Sequence, residues 1–150
     1  MKPLALIRFA LLFVVFLSVG GCATVPMAST EKDATAKTFA TAPELANLYV
    51  YRASEWGSAV KYPVMLDGKM LGELPGSTFI FQQVAPGPHT LYVSAESSKT
   101  VSFVAEAGKG VYIKVTPVMG WAMPAVSLTL MTDEKEAQED VKGCSLIQGL

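Results

Sequence analysis

His89 is the only histidine of this 150-residue chain, so acid–base chemistry near neutral pH would have to be built around one ring. A two-histidine zinc site is excluded by count. A Ser-His-Asp arrangement would need a nucleophile and an orienting carboxylate brought to that ring from elsewhere. His89 directly follows the turn Pro86-Gly87-Pro88, at a strand start, where its ring can instead satisfy turn carbonyls, and that structural role is the reading adopted. No Gly-x-Ser-x-Gly elbow occurs, and Gly108-Lys109-Gly110 lacks the spacing and following helix of a phosphate loop, so it reads as a hairpin turn. Asp67, Glu73, Glu96 and Glu106 fall in turns or on alternating strand faces; a glycosidase pair among them is the minor reading, since the separation it needs is set by the fold and not by sequence spacing. Arg52 has the planar fork that holds a carboxylate ligand, although an outward-facing strand charge is the more ordinary role. With no catalytic residue, metal ligand or cofactor assigned, the chain is read as not an enzyme.

Binding is a better-supported theme. Trp56 lies in Ser54-Glu55-Trp56-Gly57-Ser58, between two strand-like stretches, and Trp121 lies in Met119-Gly120-Trp121-Ala122-Met123-Pro124. Aromatic rings and polarizable methionines in loops suit recognition surfaces; the reading adopted for the two loops is nevertheless that each folds back to cap an open end of the fold, with recognition as the alternative. Arg52, Trp56, Met119, Trp121 and Met123 make up the candidate interaction surface.

The start of the chain bears on where that surface works. Lys2 and Arg8 precede an apolar run over residues 9–19, the order of a secretory signal. That run is shorter than the ~20 apolar residues a spanning helix needs. Leu17-Ser18-Val19-Gly20-Gly21-Cys22 resembles the lipobox of bacterial lipoproteins. The resemblance implies that residues 1–21 are a signal peptide, that the Cys22 thiol receives a diacylglyceryl group, and that its new amino group is acylated. One acyl chain holds a protein only marginally at a membrane, whereas two or more hold it stably. Bacterial lipoproteins retained in the inner membrane commonly carry Asp at the next position, so with Ala23 there the resemblance implies the periplasmic face of the outer membrane. With Cys22 lipidated, Cys144 has no partner within the chain, which excludes an internal disulfide. It is then a buried, inert thiol, the reading adopted, or an exposed one able to bridge two molecules in an oxidising periplasm.

Loss of Lys2 and Arg8 with the signal reduces 12 basic residues to 10 against 13 acidic ones, a formal charge of −3. That balance provides neither a nucleic-acid footprint nor a polybasic patch for anionic headgroups, so membrane attachment would rest on lipid.

Residues 22–42 are rich in Thr, Ala and Ser without hydrophobic period; they read as a flexible tether of about 20 residues with a reach of roughly 25 Å. From residue 43 to 150 a single domain is expected. Leu48, Tyr49, Val50 and Tyr51 are apolar on both faces, as in an interior strand. Val60, Tyr62, Val64 and Leu66 share one face, and Pro63 among them signals an edge or a bulge. Asp67-Gly68 is a type I′ hairpin signal and Ala85-Pro86-Gly87-Pro88 a type II turn. Alternation then recurs at Leu91/Val93, Val101/Phe103/Ala105, Val111/Ile113/Val115 and, after a loop over 117–124, Val126/Leu128/Leu130. Asp133 and Glu136 have capping-box spacing, and Ala137, Val141 and Cys144 share one side of a short helix. About seven or eight short strands and one C-terminal helix make an all-β protein, an antiparallel β-sandwich or small barrel.

The segments Leu48-Tyr49-Val50-Tyr51-Arg52, Val64-Met65-Leu66-Asp67-Gly68-Lys69, Leu71-Gly72-Glu73-Leu74, Pro86-Gly87-Pro88-His89-Thr90-Leu91 and Ala107-Gly108-Lys109-Gly110-Val111-Tyr112 together resemble a family of small bacterial lipoproteins whose domain has no assigned function. Their central part is also similar to PEGA-type and transthyretin-like β-sandwich modules of bacterial surface proteins. The resemblance implies a sandwich fold but supplies no catalytic or binding residue beyond Cys22. Two roles follow as expectations: a membrane-anchored, non-enzymatic binding or scaffolding module for an envelope protein or glycan, or a carrier or sensor with a small apolar ligand in a sandwich cavity.

Overall fold

A computed structural model describes residues 25–122 and 124–150; Cys22 and Met123 lie outside the described residues. Among those described, nine strands form two sheets. The strands are β1 Ala46–Arg52, β2 Tyr62–Leu66, β3 Lys69–Leu74, β4 Thr78–Val84, β5 Gly87–Val93, β6 Lys99–Ala105, β7 Gly110–Val118, β8 Ala125–Leu130 and β9 Ser145–Leu146. One sheet has the order β8-β7-β1-β4-β9 and the other β3-β2-β5-β6, the all-β sandwich that the alternation implies.

Every residue of β1 is buried, because it sits at the centre of its sheet and both its faces are covered. Leu48 and Val50 point between the sheets and pack with Val64, Leu74, Leu91, Ile113 and Val126. Burying such side chains is worth ~1.5–3 kcal/mol each. On the other face Tyr49 and Tyr51, with Phe79 and Tyr112, form a second cluster with Ala36, Ala137, Val141 and Cys144. Two short helices, α1 Thr30–Ala36 and α2 Glu134–Lys142, supply that cover. Each tyrosine hydroxyl there is tied to a helix: Tyr49 donates to the Ala36 carbonyl (2.9 Å), Tyr51 to Asp140 Oδ2 (3.1 Å) and Tyr112 to Glu134 Oε1 (3.3 Å). The Tyr49 and Tyr112 rings stack at 4.9 Å, one strand apart on a shared face.

The C-terminal helix begins as its sequence implies, with the Asp133 carboxylate accepting from the Glu136 N–H at 3.1 Å. The N-terminal segment corrects the tether expectation for its described residues. Met27 pairs with Ile147, the Ala28 N–H donates to the Leu146 carbonyl (2.9 Å) and the Gln148 N–H to the Pro26 carbonyl (2.8 Å). Asp33 then accepts from the Leu146 N–H (2.7 Å) and pairs with Lys37 (2.7 Å). A seven-residue helix has too few residues to hold itself, so it exists because the domain holds it. Its local sequence therefore carries no readable period.

The Asp67-Gly68 turn has φ of 50° and 81°, as a type I′ hairpin requires. Pro63 lies in an interior strand, and β2 accommodates it next to a register shift between Val64 and Met65. Gly108-Lys109-Gly110 is not a hairpin. It carries the chain from β6 in one sheet to β7 in the other, and the Lys109 carbonyl accepts from the Asn47 N–H at 3.0 Å. That docking starts β7 beside β1 and makes the pair parallel, so the larger sheet is mixed. Glycines mark where a chain bends; they do not choose the next partner.

A Cβ at Gly110 would lie 2.6 Å from the Tyr112 hydroxyl oxygen, whereas one at Gly149 meets nothing within 4 Å. Because the Tyr112 ring is wedged against Tyr49, Gly110→Ala should lower the unfolding free energy by about 1–3 kcal/mol. Gly149→Ala should change it by no more than about 0.5 kcal/mol. Urea denaturation of both variants checks the pair.

Candidate functional site

Since β1 and β7 run parallel, the loops that follow them leave the sandwich at the same end. Arg52 closes that end from inside. Its position in β1 matches Leu48 and Val50 in parity, so its side chain points between the sheets and is fully buried. Nη1 donates to the Val60 carbonyl (2.8 Å) and Nη2 to the Trp56 carbonyl (2.6 Å), while the guanidinium lies 5.0 Å from the centre of the Tyr62 ring. Burial lowers its pKa from the usual value. Arg52 therefore belongs neither to a surface nor to a carboxylate site; it pins the 53–61 loop through two backbone carbonyls.

That pinned loop presents Trp56 half exposed, at 50%. In the loop after β7, Trp121 is 99% exposed and Met119 84%, with Val118 beside them also exposed. An exposure of 99% overturns capping for Trp121, whose ring covers nothing. The loop is held instead by its backbone, the Ala122 N–H donating to Glu96 Oε1 at 3.0 Å. The surface expected from the sequence thus keeps Trp56, Met119 and Trp121, gains Val118 and loses Arg52.

His89 sits at the opposite end, in a latch. Its Nδ1 lies 2.6 Å from Asp67 Oδ2, its Nε2 lies 2.8 Å from the Ala85 carbonyl, and the Asp67 Oδ1 accepts from the Thr90 N–H at 2.8 Å. The hydrogen bond to Asp67 raises the ring's pKa, and the same bond lowers that of Asp67. With both nitrogens facing acceptors, this geometry favours the protonated ring, which joins two turns. The other acids are spread out: Glu73 on β3, Glu96 on the Ala122 amide, and Glu106 paired with Lys109. No group of three or more His, Cys, Asp or Glu among the described residues is placed to hold a metal. Cys144 is buried, with Sγ 3.3 Å from the Asp140 carbonyl, and burial pushes its thiol up to about 11; this is the inert thiol of the sequence reading.

The aromatic residues that would line a sandwich cavity are packed in the two clusters. A groove of about 640 Å³ lies elsewhere, between α1 and residues 146–150, lined in part by Phe81, Leu146 and Ile147. No sequence signal marks it, because it exists only where α1 docks.

Two contrasts follow. Arg52→Ala leaves two loop carbonyls without a buried donor and should cost about 3 kcal/mol or more, while Trp121→Ala should stay within about 0.5 kcal/mol; thermal melts of both distinguish pin from surface. For the latch, a raised histidine pKa gives stability that is complete below the unfolded value, ~6.5, and is lost as pH rises through the folded value. The Asp67 contribution is lost as pH falls through its lowered value. The destabilisation caused by His89→Ala should therefore be largest from about pH 4 to 6.5 and shrink above. Denaturant titrations across pH report it, and a gap that widens with alkalinity would mean a neutral ring.

Residues 43–127 match the family described as "Protein of unknown function (DUF2846)", a stretch that holds Arg52, Trp56, the His89 latch and Trp121. A relative described as "Uncharacterized protein", from Haemophilus influenzae, is 34% identical over 124 residues, covering 81% of this chain and 73% of its own. The chain belongs to this family of proteins of unknown function.

Proposed function

We propose that this protein is a lipoprotein anchored through Cys22 at the periplasmic face of the bacterial outer membrane. Its sandwich, akin to PEGA-type and transthyretin-like modules, serves as a non-enzymatic binding or scaffolding unit for an envelope protein or glycan. The observation that carries the reading is the order of Lys2 and Arg8, an apolar run, and Gly20-Gly21-Cys22. Cleavage before that cysteine and acylation on it would make attachment covalent and lasting. Among the described residues no helix is long and apolar enough to cross a membrane. A binding role is supported by Trp121 and Met119, large apolar side chains held in water by a loop with ordered backbone contacts. A non-enzymatic role is supported by His89, whose two ring nitrogens are both engaged by turn groups. The carrier role has less support, since the space between the sheets is filled by side chains.

Cells fed labelled palmitate should incorporate it into the wild-type protein and not into Cys22→Ser, which should leave the membrane fraction. Crosslinking in intact envelopes should capture a partner with the wild type and lose it with Trp121→Ala, at unchanged melting temperature. Retention of Cys22→Ser in the outer membrane would refute the anchor; undiminished capture by Trp121→Ala would refute the surface.

A further inference from the structure

The place of the first described residues in the fold restricts how such an anchored domain can stand. Val25 packs against the inter-sheet core, and Val25, Pro26, Lys61, Gly72, Glu73 and Ile147 line one small groove. That groove lies where β3 and β9, the neighbouring edges of the two sheets, meet. The ladder from Pro26 to Ala28 against residues 146–148 fixes the segment there. Three peptide units separate Val25 from Cys22 and can span at most about 11 Å. The leash is therefore far shorter than the ~25 Å reach of a free tether of about 20 residues.

Around the exit point the surface is apolar beyond what the fold needs. Met27 is 45% exposed, Leu150 is 87% exposed, and Pro26 is exposed beside them. The Trp121 loop leaves from β7 and β8, and β8 is the opposite edge of the five-stranded sheet. Four strand spacings of ~4.8 Å put that edge about 19 Å from β9. A leash of this length keeps the near edge within about 11 Å of whatever surface carries the acyl chains, and the exposed Met27 and Leu150 favour that edge as the one laid on it.

We propose that the edge formed by β3, β9 and residues 25–28 lies on the bilayer surface, with Met27 and Leu150 in the headgroup zone and the Trp121 loop turned to the aqueous side. The proposal rests on the lipid-anchor reading of Cys22. It assigns the two apolar surfaces of the domain different occupants: lipid at the near edge, and a soluble or envelope partner at the far one.

The test uses the full lipidated chain in phosphatidylethanolamine–phosphatidylglycerol vesicles whose acyl chains carry bromine, a short-range quencher of indole. Trp56 and Trp121 are the chain's two tryptophans. In a Trp56→Phe, Trp121→Phe background, Met27→Trp or Leu150→Trp should lose fluorescence about twofold relative to unbrominated vesicles, as expected for a side chain at the acyl boundary. Trp121 alone, in Trp56→Phe, should be unaffected. Inserting about 20 Gly/Ser residues between Ala23 and Thr24 should remove the quenching at 27 while leaving the protein bound, because the leash then reaches ~25 Å further. Quenching of Trp121 without quenching at 27 and 150 would overturn the orientation, as would no quenching anywhere on a chain shown by mass spectrometry to be acylated. An unacylated Cys22 would remove the anchor reading and this proposal with it. Leu150→Trp changes an exposed side chain, so the test survives a Met27→Trp variant that folds poorly.

Discussion

A strand buried on both faces cannot be stable until both faces have been covered, and β1 imposes that condition on the whole molecule. Its Leu48 and Val50 face requires a second sheet; its Tyr49 and Tyr51 face requires something else. The chain meets the second need with two helices from opposite ends of the sequence, α1 before the first strand and α2 after the eighth. Both are short, and neither has enough internal hydrogen bonding to persist alone. Tyrosine suits this face because its ring contributes apolar area while its hydroxyl ties down a helix carbonyl or carboxylate.

The same arrangement organises the ends. Arg52 continues the inward parity of β1 and meets the open top of the sandwich, where its charge is stabilised by the Trp56 and Val60 carbonyls and the Tyr62 ring. Holding a loop by its backbone leaves the loop's side chains for other work, and Trp56 is half exposed as a result. The loop after β7 follows the same logic through the Ala122 amide and Glu96. At the bottom, Asp67 and His89 join the β2–β3 turn to the turn before β5. Polar residues that looked like candidate chemistry thus serve the connections between strands, and the large apolar side chains of Trp56, Met119 and Trp121 are left facing solvent.

Covering β1 with α1 also draws the N-terminal segment onto the domain. A stretch of Thr, Ala and Ser becomes part of the fold through Asp33 and the Leu146 amide, and Val25, three positions after Cys22, already packs on the core. Packing of one tyrosine face is in this way coupled to how closely a lipid-bearing cysteine would hold the domain.

Period-two alternation, Asp-Gly and Pro-Gly punctuation and the Asp133 cap determined the strands, the hairpin over Asp67-Gly68 and the C-terminal helix, because each depends on residues within a few positions of one another. The buried Cys144 and the turn role of His89 were legible from residue type and position alone, although the partners that fix them, β1 for Cys144 and Asp67 for His89, lie far off in the chain. The membership of the surface at Trp56, Met119 and Trp121 was legible in residue type, but exposure was not, since a loop tryptophan caps or projects according to what lies beneath it. Only the tertiary structure decided that Arg52 points inward, that the Gly108-Lys109-Gly110 bend crosses between sheets, that α1 forms at all, and that Met27 and Leu150 share an edge. Each of these is set by contacts between residues far apart in the chain, whose energy appears only after the sheets have met.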